Sequence, residues 1–485
     1  MDSDGSTSST EPPDSRPPYG GGNADVAIVI LTAGRGTRMR SALPKVLHPL
    51  AGLPMIEHVV RAAEAIQPGQ IILTLGPTSE ALRQPYSARA GIAWQAEPLG
   101  TGDAARAALP VLHDDIEWVM VIFGDHPIVD PATLQRLTDE TRAAGPILST
   151  VAVVLTDPGP YGRYRTDGGR IVAIVEAHED DQQYDGPIPV NSGMCLVRAG
   201  WLRENAGRLT RSPKGEYYLT ELVALAAATE WPREQVRLVL AEPEVAWGIN
   251  DRAELARAER VIRDRILRRH MLAGVTLVDP ASTWIDADVE IGQDTRIEPG
   301  TSLRGRTIVG ANCRLGPQTV VEDSTLGDGV TIRASWIEQS EIGDGTDIGP
   351  YSHLRPGVRL AAHVHVGNYV EMKNARVGSG TQVGHVSYLG DAEVGERVNI
   401  GAGTITCNFD GYDKHQTTIG DDVFVGSDTM LVAPVELGDG SRTGAGSVVT
   451  KPVQPGQLVV GIPARPIRRT PGPAMSDAGV DEPEE

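Results

Sequence analysis

Val377-Gly378-Ser379-Gly380-Thr381-Gln382-Val383-Gly384-His385-Val386-Ser387-Tyr388-Leu389-Gly390 sets an aliphatic residue at every sixth position, each followed by glycine. One aliphatic side chain per step can point inward, and a small residue beside it lets the chain turn a sharp corner. Three six-residue flats make one triangular coil of roughly 18 residues, and stacked coils share a core. The stretch predicts a parallel β-helix. Working outward, Ile291-Gly292, Ile297, Leu303, Leu315-Gly316, Val321, Ile342-Gly343, Ile348-Gly349, Leu354, Leu360 and Val366-Gly367 keep the step on one side. Val394-Gly395, Ile400-Gly401, Thr406, Ile419-Gly420, Val425-Gly426, Leu431 and Leu437-Gly438 keep it on the other. Cys407–Thr418 interrupts the repeat. A solenoid can expel such an insertion as a loop without disturbing its core, and loops of this kind carry function.

Upstream the texture differs. Asp25–Leu31 is a short β-branched apolar run ending near Gly34, as in a strand buried on both faces. A helical stretch over Ile56–Ala65 follows, then strand-like runs at Ile71–Leu75, Trp118–Phe123 and Leu148–Leu155. Alternating strands and helices predict a doubly wound, Rossmann-like α/β domain over residues 25–249. Residues 250–272 contain Leu255, Val261, Ile262, Ile266 and Leu267 near helical spacing, and a charged linker helix is expected there. The β-helix domain then runs over residues 273–468. Residues 1–24 and 469–485 have little to bury and are expected to be disordered tails, the second acidic.

Composition bounds the partners. The 485 residues are 40% hydrophobic and 22% charged, ordinary for a soluble protein, with a net charge of −20. That balance argues against non-specific nucleic-acid or anionic-membrane binding. No apolar run is long enough to span a membrane, and the N-terminus lacks a secretory pattern. Cys195, Cys313 and Cys407 are too few and too scattered for a disulfide framework, so a cytoplasmic location is expected. The 55 glycines and 35 prolines exceed average usage, as a turn-rich repeat plus disordered tails would require.

After the first strand comes Leu31-Thr32-Ala33-Gly34-Arg35-Gly36-Thr37-Arg38-Met39, then Leu43-Pro44-Lys45. Glycines let backbone N–H groups approach a phosphate chain, and Arg38 and Lys45 add positive charge. This segment resembles sugar-1-phosphate nucleotidyltransferases. Combined with a hexapeptide β-helix, it resembles the bacterial bifunctional N-acetylglucosamine-1-phosphate uridyltransferase/glucosamine-1-phosphate N-acetyltransferase family, over roughly residues 26–455. The hexapeptide β-helix of that family is left-handed.

The resemblance implies roles along the chain. Leu31, Thr32, Ala33 and Gly34 would hold the nucleotide, with Arg38 and Lys45 catalytic through their charge. Gln95-Ala96-Glu97-Pro98-Leu99-Gly100-Thr101-Gly102 looks like the uracil-reading segment, with Gln95 on the base and Gly100 and Thr101 beside it. Phe123-Gly124-Asp125 ends a strand, where open α/β sheets bind ligands. Asp125 and Asn250 resemble the pair that binds Mg²⁺, and two oxygens completed by water and phosphate suit a hard octahedral ion. Gly162, Glu176 and Asn191 would hold the N-acetylglucosamine. In the second domain, Asn399-Ile400-Gly401-Ala402-Gly403-Thr404-Ile405-Thr406-Cys407-Asn408 is the most specific match. His385 resembles the base that deprotonates the amine, and a histidine suits that task near neutral pH. Arg355 and Lys373 would grip the sugar phosphate, and Tyr388 and Asn399 the sugar. Ala402, Asn408, Phe409, Ser427 and Ala445 match acetyl-CoA contacts. Lys414 resembles a substrate contact delivered across a subunit boundary, since the family is trimeric. His363 and His365 read as coil-surface residues.

Three positions depart from the pattern. Arg35 stands in the glycine loop where the family often has Lys or Pro. His126 follows Asp125 where a small or apolar residue is usual, and reads as a neighbour or an extra metal ligand. Ile462 stands where the family usually carries an Arg on the CoA phosphate, and either Arg465 serves the same charge or the CoA grip differs. The lysines point the same way: there are five (45, 214, 373, 414 and 451) among 44 basic residues, and three of them fall at proposed ligand contacts.

The implied activity is acetylation of glucosamine 1-phosphate by acetyl-CoA, then transfer of UMP from UTP to the product. The product, UDP-N-acetylglucosamine, would serve cell-envelope synthesis. A single-activity nucleotidyltransferase with a β-helix used for assembly or regulation is the alternative. A non-catalytic assembly subunit, the third reading, predicts no Mg²⁺-dependent turnover. Asn399–Asn408 with His385 and Lys373 argues against the alternative, and the intact phosphate loop with Asp125 and Asn250 against the third.

Overall fold

The computed structural model describes residues 22–34 and 36–469, and the chain divides into two compact units between Ile262 and Arg263. Most of both expected tails, and Arg35, lie outside the described residues. The first strand, Asn23–Leu31, begins two residues earlier than the apolar run suggests, because Asn23 is buried and its Nδ2 donates to Ile66 O at 2.6 Å and Gln135 Oε1 at 2.9 Å.

In the first unit, seven strands of a nine-stranded sheet run in the order Val236–Ala241, Leu148–Leu155, Ile188–Arg198, Trp118–Phe123, Asn23–Leu31, Pro68–Leu75, Gly91–Trp94. All neighbours are parallel except Ile188–Arg198, which runs antiparallel to both its partners and carries the hairpin Arg163–Asp167/Arg170–Val175. The central run is apolar at every position because both its faces are covered. Val26, Ile28 and Ile30 enter one core with Ile56, Val59 and Leu134, while Ala27, Val29 and Leu31 enter the other with Ala104, Leu202 and Leu222. That alternation is the period of two of a pleated strand. Helices Met55–Ala65 and Pro131–Ala144 therefore cover one face, and Thr101–Ala107, Ala199–Asn205 and Glu221–Ala227 the other. The second helix starts with Asp130 Oδ1 accepting from Thr133 N at 2.8 Å and ends at Gly145 in the left-handed conformation.

The expected linker helix is Arg252–Leu272. Ala258, Ile262, Ile266, Leu267 and His270 are its buried positions, while Arg257 and Arg263 lie over the rings of Trp247 and Trp284.

The second unit is a three-faced parallel β-helix. Short strands pair in parallel with the equivalent strand of the next coil: Arg296–Ile297 with Arg314–Leu315, then Thr331–Ile332, Asp347–Ile348 and His365–Asn368. Every inward residue expected from the period of six is buried, except Ile291 at the N-terminal end, which is partly exposed. A second inward ladder lies two residues before many of these positions, with Thr295, Thr301, Thr319, Thr346, Thr381, Thr404 and Thr429 all fully buried. Several of these hydroxyls donate to a carbonyl at a corner, as Thr295 does to Gly310 O at 2.8 Å and Thr404 to Gly401 O at 2.6 Å. A threonine there fills the corner, and where its hydroxyl donates it gives a corner carbonyl a partner; the buried Thr319 hydroxyl is an exception and has none.

The insertion leaves the barrel after Ile405–Cys407 and returns at Thr417–Ile419. It folds on itself through a bridge between Phe409 and Lys414 and a 2.8 Å contact from His415 Nε2 to Asp410 Oδ2.

Candidate active sites

The first site is a cleft of about 980 Å³ at the carboxyl ends of the parallel strands. Leu31, Thr32, Ala33, Gly34, Arg38, Lys45, Gln95, Gly100, Thr101, Phe123, Asp125, Gly162, Glu176, Asn191 and Asn250 all line it. Gly124 alone of the expected residues does not. It packs behind the wall, where a Cβ would lie 2.7 Å from Thr32 Cγ2 and 2.9 Å from Ile56 Cδ1. Asp125 is thereby left at the end of its strand, facing the phosphate loop.

Charges meet at one point in this cleft. The Lys45 ammonium pairs with Asp125 and lies 3.4 Å from Asn250 Oδ1, which also accepts from Arg38 at 2.8 Å. Asn250 is held by its own N–H on Glu254 Oε2 at 2.6 Å, and the strand end by Ile249 N–H on Asp125 O at 2.9 Å. Burial pushes the Asp125 carboxyl up, but the Lys45 ammonium and His126 beside it hold it below the usual carboxylate range. Burial pushes His126 down, toward the neutral form. Its ring stacks on Phe123 at 5.0 Å and fills the space a Cβ on Gly248 would need.

At the residues expected to hold the sugar, Glu176 accepts from the Thr220 hydroxyl at 2.9 Å, and Asn191 Oδ1 accepts from Thr150 at 3.0 Å and Gly193 N at 3.1 Å. Gly100 has φ 103 and ψ 175, a backbone region essentially closed to other residues, and its hypothetical Cβ would lie 2.5 Å from Tyr217 O. Lys214, Thr220 and Glu254 also line the cleft and were not singled out by sequence. The scarcity of lysine marked Lys214 as unusual but gave no reason to place it here.

The second site is a column on the β-helix. Register pairs Asn368 with His385 and Val383 with Ile400, so His385 lies over Ala402. Ile400 pairs with Val425, and Phe424 with Arg442, which continues the column through Ser427 to Ala445. His385 and three of the expected acetyl-CoA contacts thus share one corner of successive coils. Thr443 pairs with Val459, which sets Gly461 next, with Ile462 exposed beside it and Arg465 paired with Val460 on the returning strand. His385 Nδ1 lies 2.7 Å from Asn368 Oδ1, a partner one coil back. Val386, at φ 39, is unusual for a β-branched residue. It is pinned by bonds to Asn368 O at 3.0 Å and from Gly403 N at 2.9 Å.

On the next face, Glu371–Val377 pairs with Tyr388–Val394, so Lys373 lies opposite Gly390. Arg355 pairs with Glu371 at 2.8 Å. Asp391 accepts from Asn408 Nδ2 at 2.6 Å and from Asn374 Nδ2 at 2.7 Å, tying the root of the insertion to the coil before it. Asn399 pairs with Phe424, while Phe409 and Lys414 sit in the insertion. His365 pairs with Asp347 at 2.8 Å and His363 is exposed at a corner, both on the coil surface as expected. The three cysteines are unpaired.

Fold and sites together define a two-unit transferase, with a nucleotidyltransferase unit joined to a hexapeptide acyltransferase unit. The MobA-like NTP transferase domain family matches residues 28–190, and the bacterial transferase hexapeptide family matches 288–323 and 416–451. The β-helix is accordingly the left-handed hexapeptide form. The Bifunctional protein GlmU of Stutzerimonas stutzeri (strain A1501) is 46% identical over 442 residues, covering 90% of this chain and 96% of that one. Those of Heliobacterium modesticaldum (44%, covering 89% and 94%) and Kineococcus radiotolerans (42%, covering 90% and 89%) are similar. The chain belongs to this bifunctional GlmU family, and it is an enzyme with a nucleotidyltransferase and an acetyltransferase activity. Among the described residues no helix is long and apolar enough to cross a membrane.

Proposed function

We propose that the second unit acetylates the amine of glucosamine 1-phosphate with acetyl-CoA, and that the first transfers UMP from UTP to the N-acetylglucosamine 1-phosphate so formed. The observation that carries the reading is the meeting of Lys45, Asp125, Asn250 and Arg38 in one cleft, from three separate segments. The phosphate oxygen of the sugar attacks the α-phosphorus of UTP, the bond to the bridging oxygen breaks, and pyrophosphate leaves with its charge. No covalent intermediate and no general base are required, so the chain's part is to position the reactants and neutralise charge. Arg38 and Lys45 face the phosphates from the loop side. Gln95, Gly100 and Thr101 hold the base, and Gly162, Glu176 and Asn191 the sugar.

Asp125 and Asn250 would hold Mg²⁺. They fit such an ion because a carboxylate and an amide oxygen already converge on a cation, the Lys45 ammonium. When bound, the ion supplies neutralisation of the phosphate charge.

In the acetyl site Asn368 Oδ1 accepts from His385 Nδ1, which leaves Nε2 with its lone pair for the substrate. Nε2 takes a proton from the attacking amine, the C–N bond forms, the C–S bond breaks, and the imidazolium returns the proton to the CoA sulfur. Arg355 and Lys373 hold the sugar phosphate. Tyr388 and Asn399 hold the sugar, while Ala402, Asn408, Phe409, Ser427, Ala445 and Arg465 receive acetyl-CoA. The β-helix assembles into a homotrimer in the cytoplasm, with Lys414 completing a neighbour's site.

The test is mass-spectrometric, with glucosamine 1-phosphate, acetyl-CoA, UTP and Mg²⁺ supplied together. Wild type should give UDP-N-acetylglucosamine. His385→Ala should still uridylate supplied N-acetylglucosamine 1-phosphate, and Asp125→Ala should stop at that intermediate. Uridylation without acetylation would make the β-helix a scaffold, and neither activity would overturn the reading.

A further inference from the structure

Gln95 is 4% exposed and its backbone is fixed, with its N–H on Leu75 O at 2.8 Å. Its amide nitrogen faces two acceptors, Asp103 Oδ2 at 2.8 Å and Gly100 O at 3.2 Å. A carboxylate and a carbonyl can only accept here, so the NH₂ end of the amide must face them. Both amide hydrogens are then used inside the protein. What Gln95 has left is Oε1, an acceptor to which no described residue donates. Asp103 is in turn paired with Arg106, three residues on along the same helix, and the Arg106 guanidinium lies 5.0 Å over the Tyr217 ring. Gly100, the other acceptor, sits between two backbone bonds to Tyr217, from Tyr217 N to Leu99 O and from Gly102 N to Tyr217 O, both 2.8 Å. The amide is therefore held from two sides, by the Asp103 carboxylate and the Gly100 carbonyl.

We propose that Asp103, held by Arg106, is a positioning residue that fixes the Gln95 amide with its carbonyl oxygen toward the base and so selects a base that donates from N3. This rests on the reading that Gln95 meets the nucleobase. Uracil carries a hydrogen on N3 and matches an acceptor. Cytosine carries a lone pair there, which faces Oε1 unpaired, and a buried mismatch of that kind is costly. A freely rotating amide could turn its NH₂ to cytosine and would discriminate poorly. Selectivity thus resides in the clamp as well as in the glutamine.

The experiment compares uridyl and cytidyl transfer to N-acetylglucosamine 1-phosphate, with product nucleotide sugars read by mass spectrometry. It uses the full chain, Asp103→Ala, Asp103→Asn, Arg106→Gln and Gln95→Ala. Asp103→Ala should lower the UTP over CTP ratio of kcat/KM at least tenfold, through a raised KM for UTP and a gain with CTP, while kcat for UTP changes less than threefold. Asp103→Asn should keep most of the ratio, because its Oδ1 still accepts. Arg106→Gln should be intermediate, and it carries the test if Asp103→Ala is insoluble. Acetyl transfer should be unchanged in all of them. A ratio unchanged in Asp103→Ala, or UTP and CTP falling together, overturns the proposal. If Gln95→Ala also leaves the ratio unchanged, the reading of Gln95 as the base contact has failed. If Gln95→Ala loses the ratio and Asp103→Ala keeps it, only the clamp has failed.

Discussion

Replacing Gly390 with alanine should remove acetyl transfer while leaving uridyl transfer and the fold in place. Gly390 lies in the strand Tyr388–Val394, in extended backbone that alanine adopts without strain. Space is the obstacle. A Cβ there would lie 2.4 Å from Tyr388 Oη, 2.6 Å from its Cζ and 2.8 Å from Asn408 Nδ2. Ordinary non-bonded contacts begin near about 3.5 Å, so the tip of the tyrosine and the asparagine amide must each retreat by roughly 1 Å. The tyrosine can do so by rotation, since the residue is only partly buried. Asn408 can do so only by loosening its 2.6 Å bond to Asp391, an interaction with a charged group worth about 1.5–3 kcal/mol. Both side chains are proposed ligands of the acetyl site, and misplacing such groups by about 1 Å costs on the order of 10²-fold in rate. The assay is thiol release from acetyl-CoA beside pyrophosphate release from UTP, on one preparation. The expected result is a loss of about 10²-fold or more in the first, less than twofold in the second, and a Tm lowered by only a few degrees. Acetyl transfer within threefold of wild type would refute the placement of Tyr388 and Asn408 at the substrate. Loss of both activities together would show that the substitution acts on folding instead.

Other outcomes follow from the same geometry. Asp125→Asn keeps the shape but removes the charge opposite Lys45, and uridyl transfer should fall by about 10³-fold or more with acetyl transfer intact, measured by pyrophosphate release. Gly100→Ala forces a side chain onto Tyr217 O from a backbone conformation that alanine avoids, and should destabilise the first unit by about 2 kcal/mol or more in denaturant unfolding. His270 is 5% exposed, and burial, helped by the Arg269 charge, pushes its pKa down to about 4. The unfolded chain takes up the proton first, so this contribution is intact above about pH 6.5 and lost as pH falls toward 4, amounting to roughly 3 kcal/mol. Stability of His270→Gln relative to wild type should therefore rise as pH drops from 7 to 4, and a pH-independent difference would refute the assignment.

The period of six made the β-helix legible, because each coil buries its own equivalent residue and that demand repeats locally in sequence. The second inward ladder of threonines and serines was not read. Its residues look like ordinary turn formers until their hydroxyls are seen to meet corner carbonyls, in the next coil for Thr295 and in the same corner for Thr404. The glycine loop was legible because Gly34, Arg38 and Lys45 lie within a dozen residues of one another, just past one strand end. The strand Ile188–Arg198 and its antiparallel course were not, because Pro189, Asn191, Ser192 and Gly193 break the apolar run and strand direction is set only by its partners.

Sequence by itself determined the two architectures, the candidate ligands and the residue types their chemistry needs, all properties of local pattern. Tertiary structure decided which of them meet. Asn368 sits 17 residues before His385, and only stacking of the coils turns that separation into a 2.7 Å contact. Ala402 and Ser427 are separated by a coil and an insertion, yet occupy the same corner because the insertion is expelled. Asp103 is a helix residue like any other until the fold brings its carboxylate against the Gln95 amide. Hydrogen bonds fix distance and direction between groups far apart in sequence, and these are settled only when the chain has closed around them.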